Sequence, residues 1–156
     1  MINIEYNTHE PGTMDEKELL TFLEETEKMV VPPLGSLVNL EEYAHKLAEK
    51  AVIFAARDEG VLVGISALYF NKAPEYSYSS FTMVRHEYQK NGMIGIALMD
   101  LSGEYAKQNH SAGIHYEIRK SNKPLLIYHQ RQGATILKEM VYPHTDVVSL
   151  LMEIRF

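Results

Sequence analysis

The chain contains no cysteine and no tryptophan. Without cysteine there are no disulfides, no thiolate metal sites and no cysteine nucleophile. That absence fits a cytoplasmic protein. Long apolar runs are also missing, since no stretch approaches the roughly 18 residues a membrane helix needs. The opening residues Met1-Ile2-Asn3-Ile4-Glu5-Tyr6 lack a basic region followed by an apolar run, so no secretory signal is expected there. Positive charge is in deficit. The net charge of −6 argues against general nucleic-acid binding.

The 156 residues, 46% apolar and 23% charged, suit one folded domain spanning 1–156. Charge is unevenly spread. Residues 1–60 hold thirteen acids and five bases, whereas residues 61–156 hold eight acids and ten bases. An anionic ligand would favour the second part and a cationic one the first.

One strong break interrupts the chain, at Val31-Pro32-Pro33-Leu34-Gly35-Ser36. It is too short for a domain linker. Before it, residues 14–29 have helical periodicity, with Leu19, Leu20, Phe22 and Leu23 on the buried side. After it, Asn39 is placed to cap a helix running to Lys50. Val52-Ile53-Phe54-Ala55-Ala56 and Val61 to Phe70 form a hairpin around Asp58-Glu59-Gly60, and Tyr76 to Val84 follows as a third strand. Met93, Ile94, Ala97, Leu98, Leu101 and Tyr105 keep helical spacing. A strand over 114–119, a short helix over 124–131 and two closing strands complete the order β-α-α-β-β-β-α-β-α-β-β. This pattern predicts an α/β layer design with a mixed sheet, antiparallel early and parallel around the long helix.

The joint between Val84 and Leu98 carries the most chemistry. Gln89, Lys90, Asn91, Gly92 and Gly95 lie where a strand turns into a helix. The first N–H groups of a helix lack internal partners and sit at the positive end of its dipole, so such a joint suits a phosphate. Glycine permits close approach, and Lys90 and Arg85 add charge. An ordinary strand–helix turn that happens to use glycine would have the same spacing.

The segment resembles motif A of the GNAT acetyltransferases, a strand end followed by Gln/Arg-x-x-Gly-x-Gly/Ala and a helix. Val84, Gln89 and Gly92 match it. Ile94 stands at the second small position, with Gly95 one residue late. The flanks also resemble the family. Ser77 to Val84 is similar to the strand that pairs with pantetheine, and Val63-Gly64-Ile65-Ser66 to the strand before it. Asn122, Leu125, Tyr128, His129 and Gly133 keep the spacing of motif B, with His129 on the usual tyrosine. The likeness covers residues 50–156, and the first 50 residues look like a subset of these enzymes, some of them in polysaccharide pathways.

The resemblance implies a GNAT fold, with about seven strands in a mixed sheet flanked by about four helices. It implies acetyl-CoA as co-substrate, no metal, and an amine acceptor attacking directly in a ternary complex. A homodimer is a common assembly for such domains. The cofactor-binding positions carried over are Thr82, Met83, Val84, Gln89, Lys90, Asn91, Gly92, Met93, Ile94, Gly95, Asn122 and Tyr128. Either Tyr128 or His129 would protonate the leaving thiolate. Glu117 is the first candidate for general base, with Tyr78, Glu75 and His115 as alternatives. Tyr69, Asn71 and Tyr78 are expected on the acceptor side, and Glu24, Glu25 and Glu27 would favour a cationic amine. The acceptor itself stays open, an amino sugar being one option and a peptide or protein N-terminus another. A non-catalytic acyl-CoA-binding module is the alternative that Ile94 and His129 favour.

Seven histidines raise a metal reading, but no His-Glu-x-x-His occurs, and the His115-Tyr116-Glu117 step lacks the Cys-x-x-Cys of zinc deaminases. There is no Walker loop. Ser102-Gly103 lacks the Gly-x-Ser-x-Gly frame.

Overall fold

Three of the helices begin at a side chain that caps them. Asp15 accepts hydrogen bonds from the Lys17 and Glu18 amides and starts α1, Glu16–Thr26. Glu16 and Glu18 in its first turn complement the helix dipole. Residues 27–29 continue as a 3₁₀ turn, and the short α2, Leu34–Leu37, follows the proline pair. Asn39 caps α3, Leu40–Lys50, by accepting from the Glu42 amide at 3.0 Å. The strands β2, Val52–Asp58, β3, Val61–Ala73, and β4, Tyr76–Val84, come next. Helix α4, Met93–Gln108, is preceded by Gly92 in the left-handed region and, like α2, has no side-chain cap. Strand β5 is Gly113–Arg119, and Asn122 caps α5, Lys123–Arg131, through the Leu125 amide. Strands β6, Thr135–Val141, and β7, Val148–Arg155, close the chain, while β1 is Ile4–His9.

This computed structural model describes residues 3–30, 32–73 and 75–156; the side chains at 71–73 and 91 are outside the description. Of the positions singled out above, Met1, Ile2 and Val31 lie outside the described residues, as do the side chains of Asn71 and Asn91.

The seven strands form one sheet in the order β1-β2-β3-β4-β5-β7-β6. Every neighbouring pair is antiparallel except β4 and β5. A parallel pair requires a long crossover, and α4 supplies it. Alternate residues serve opposite faces. Ile53, Ala55, Ile65 and Ala67 bury against Leu19, Phe22 and Leu23 of α1 and Ala44 and Leu47 of α3. Val52, Phe54, Val63 and Leu68 face Leu98 and Ala106 of α4. Ile118, Leu150 and Met152 pack with Leu125 and Leu126 of α5.

Gly64 sets how closely α4 approaches the sheet. A Cβ there would lie 3.2 Å from Leu98 Cδ1, 3.3 Å from Val84 Cγ2 and 3.4 Å from Ile94 Cγ2. The helix therefore rests nearly on the backbone of β3, with its uncapped start at the end of β4.

Candidate active site

The sheet opens at its centre. Strands β4 and β5 pair in parallel only from Tyr76↔Gly113 to Ser79↔Tyr116. Beyond that rung β4 continues to Val84 on its bonds to β3, and β5 continues to Arg119 on its bonds to β7. The two strands diverge, leaving residues 80–84 and 117–119 on facing, unpaired edges. A bulge accompanies the divergence. Ala67 opposes Phe81 and Leu68 opposes Ser79, so Ser80 has no partner on β3. Bulges bend a strand and redirect its side chains, and this one turns the end of β4 away from β5. Thr82, Met83 and Val84 all lie on the open edge. Val84 is buried beneath α4, and Thr82 bonds Ser66 across β3 at 2.9 Å.

One end of this opening is the joint into α4. Gly92 has φ +65°, in the left-handed region, and open space where a Cβ would be. Its amide bonds the Gln89 carbonyl at 3.0 Å, while the Gln89 side chain donates to the Val84 carbonyl at 2.8 Å and ties the turn to the strand end. Lys90 and Met93 are exposed beside it. Ile94, the apparent departure from the motif, is explained by packing. Its side chain is 8% exposed and turned inward toward Gly64, so its bulk stays off the outer surface of the first turn. Gly95 is half-buried, with Val84 Cγ2 4.0 Å from where its Cβ would be. Arg85 departs from the expectation that it adds charge here. Its guanidinium bonds the Leu62 carbonyl and Glu25 and lies over the Phe22 ring at 5.1 Å, on the α1 side. Glu25 is correspondingly engaged.

On the face of β5 that carries His115, Glu117 and Arg119, one carboxylate gathers phenols. Tyr78 donates to Glu117 Oε2 at 2.8 Å, and Tyr142 donates to Oε1 at 3.4 Å. Arg119 in turn donates to the Tyr142 hydroxyl at 3.1 Å and to Ser149 at 2.8 Å, and its guanidinium covers the Tyr142 ring at 4.6 Å. Burial raises the Tyr43 pKa, with Tyr69 and Tyr142 adding to the rise, so four phenols share this region. Burial and the bond to Glu117 raise the Tyr78 pKa, which keeps Tyr78 a proton donor to Glu117 and not a base. His115 does not pair with Glu117. Its Nε2 meets Glu153 Oε2 at 2.9 Å across the strand, and its ring stacks on Tyr76 at 4.6 Å. Glu75 is exposed in the turn before β4. Tyr43, Tyr142, Arg119 and Glu153 were not foreseen as a group. Tyr43 comes from α3, Arg119 from β5, Glu153 from β7 and Tyr142 from the loop after β6.

The opposite face of β5 looks toward α5. His129 is 8% exposed, and burial lowers its pKa, so the ring is neutral at ordinary pH. It packs on Tyr116 at 4.7 Å and on Tyr128 at 5.3 Å. Tyr128 is only half-buried. Asn122 is engaged as the α5 cap. Among the described residues no group of three or more His, Asp or Glu side chains is arranged to hold a metal ion.

No family model and no curated protein matches the sequence. Solved structures do match. An acetyltransferase of the GNAT family from Streptococcus pneumoniae superposes with a TM-score of 0.75 at 18% identity, covering 97% of this chain and 99% of that one. The chain has the GNAT fold. The ribosomal-protein-S18-alanine N-acetyltransferase of Escherichia coli matches with a TM-score of 0.75 at 16% identity, over 97% and 94% of the two chains. The yncA protein of Salmonella typhimurium, solved with its cofactor acetyl-CoA, gives 0.71 at 13% identity over 97% and 93%. At these identities the likeness concerns the GNAT fold, and the side chains of the site are this chain's own.

Proposed function

We propose that the protein transfers the acetyl group of acetyl-CoA to a primary amine by direct attack in a ternary complex. The observation that carries this reading is the conjunction of two features at one opening, the β4–β5 splay and the uncapped, glycine-led start of α4. Support also comes from the similar structures, one of them solved with acetyl-CoA. The residues fit the cofactor. Backbone amides from Met93 to Gly95 suit the diphosphate, with Lys90 beside them, and the free edge at 82–84 suits the pantetheine arm.

In this reading acetyl-CoA supplies an already activated acyl carbon. Glu117 accepts a proton from the incoming ammonium, and Tyr78 and Tyr142 hold the carboxylate in place. Tyr69 and Tyr78 line the acceptor side. The amine nitrogen bonds to the acyl carbon as the carbon–sulfur bond breaks, and backbone N–H groups near residues 81–84 stabilise the developing oxyanion. Tyr128 gives the departing sulfur its proton, and the second proton that the nitrogen sheds on becoming an amide passes to solvent, from which Tyr128 is reprotonated. His129 suits that role less well, because burial keeps it neutral and its ring faces inward.

Release of free thiol from acetyl-CoA with a panel of amines tests the activity. The panel spans amino sugars, aminoglycosides, polyamines and short peptides. Turnover with any of them supports the transferase. Tight acetyl-CoA binding without turnover on every amine favours a binding module instead. A peptide N-terminus as acceptor is a second reading, favoured by the similarity to an alanine N-acetyltransferase. Selective turnover of Ala-led peptides would support it.

A further inference from the structure

Tyr116 occupies a particular place. It is the last residue of β5 in register with β4, opposite Ser79, and the strands part immediately after it. Its side chain leaves the sheet on the face of Ile114 and Ile118, between the cluster under α4 and the cluster under α5. The ring is held by His129 at 4.7 Å. Its hydroxyl is buried, and among the described residues no group bonds it. Burial, and secondarily the Tyr128 phenol, raise its pKa, so it carries a proton to donate. Only Ser80 Oγ and Ser102 Oγ share this condition among the described residues. A buried donor without an acceptor costs free energy that a packed interior ordinarily avoids.

We propose that the Tyr116 hydroxyl is a cofactor-binding group, donating a hydrogen bond to the pantetheine end of bound acetyl-CoA. The inference rests on the acetyl-CoA reading above. Geometry motivates the assignment. From Ser79 to Val84 the open edge of β4 spans five residue steps, about 17 Å in extended chain. That span is comparable to an extended pantetheine arm. A diphosphate at Gly92 therefore sets the thiol end of the arm near the vertex of the splay, where Tyr116 lies. The amide carbonyls and sulfur of that arm are hydrogen-bond acceptors, which is what this donor lacks. Tyr128 is separate, since it stands half-exposed on α5.

The test compares the purified wild-type chain with Tyr116→Phe, and with Tyr105→Phe as a control whose hydroxyl bonds Glu10 at the surface. Melting temperatures are taken without ligand and with acetyl-CoA, and affinities are measured by calorimetry for acetyl-CoA and for adenosine 3′,5′-bisphosphate, which has no pantetheine arm. Tyr116→Phe is expected to melt at or above the wild-type temperature when free, because an unpaired hydroxyl has been removed. Its acetyl-CoA affinity is expected to fall about tenfold, the scale of one buried hydrogen bond. Its affinity for the bisphosphate should match wild type, and Tyr105→Phe should bind both ligands normally. Equal acetyl-CoA affinity in wild type and Tyr116→Phe overturns the proposal while leaving the cofactor reading intact. So does a parallel loss for the bisphosphate. Absence of any acetyl-CoA binding by wild type overturns both readings.

Discussion

Tyr78 and Glu117 are joined at 2.8 Å across strands whose backbones stop pairing within one residue of that bond. The hydrogen bond spans the opening, so the carboxylate is fixed without being enclosed. A charge-assisted bond of this kind orients its acceptor strongly. Replacing Glu117 by Gln is expected to reduce kcat/KM by about 10² to 10⁴, the range for a lost general base. Tyr78→Phe should cost less, about tenfold, because Tyr142 still holds the other carboxylate oxygen. Both are read from acetyl transfer to the amine with the highest turnover. A Glu117→Gln variant with the wild-type rate would remove this residue from the mechanism.

The two candidates for proton donor on α5 separate by burial. Tyr128→Phe is expected to lower kcat with little change in acetyl-CoA affinity. His129→Gln should leave kcat within about threefold, since neutral imidazole contributes no acidic proton at the operating pH. A ratio of effects in the reverse order would reassign the acid to His129.

Much of the fold is legible in the sequence. Asn39 and Asn122 announce their helices because a cap is a local event, settled within three residues. The strand–helix joint was legible for the same reason, since Gly92 and its neighbours form a contiguous segment. Partners across the sheet were not. Glu153 lies 38 residues from His115 and is directly opposite it on β7, which no local pattern encodes. Ile94 looked like a defect when read as a motif letter, but the nearby Gly64 makes room for it. The bulge at Ser80 does leave a mark in the sequence, since the aromatic alternation at Tyr76 and Tyr78 slips by one residue across Ser79-Ser80 to resume at Phe81. Arg85 was misplaced because its charge was visible and its partner Glu25, 60 residues away, was not.

Two glycines carry separable backbone roles. At Gly92 the positive φ is the constraint, with nothing in contact. Gly92→Ala should therefore destabilise the free protein by about 1 kcal/mol through backbone strain alone. At Gly64 the φ is ordinary and space is the constraint. Gly64→Val must push Leu98 and Ile94 outward, at a cost of about 1–3 kcal/mol, and shift the start of α4. Urea unfolding reads both costs. A neutral Gly64→Val would mean that α4 yields more readily than the 3.2–3.4 Å contacts imply.

The burial of His129 ties stability to pH in a defined direction. Its folded pKa lies below the ordinary value of 6.5, because burial penalises the imidazolium. Between the folded and unfolded pKa values the unfolded chain therefore binds more protons at this position, and stability rises with pH. The contribution is complete above about pH 6.5 and is lost as pH falls through that value toward the folded pKa. His9 titrates in the same sense, since burial first and Arg57 second lower its pKa, so the wild-type slope contains both. His129→Phe isolates one of them. Phenylalanine keeps a ring against Tyr116 and removes the titration, so the variant should lose less stability than wild type between pH 7.5 and pH 5. The measurement is the urea midpoint of both proteins across that interval. Parallel curves would mean that His129 accepts its proton in the fold as easily as in the unfolded chain, and the inward-facing, neutral imidazole would have to be given up.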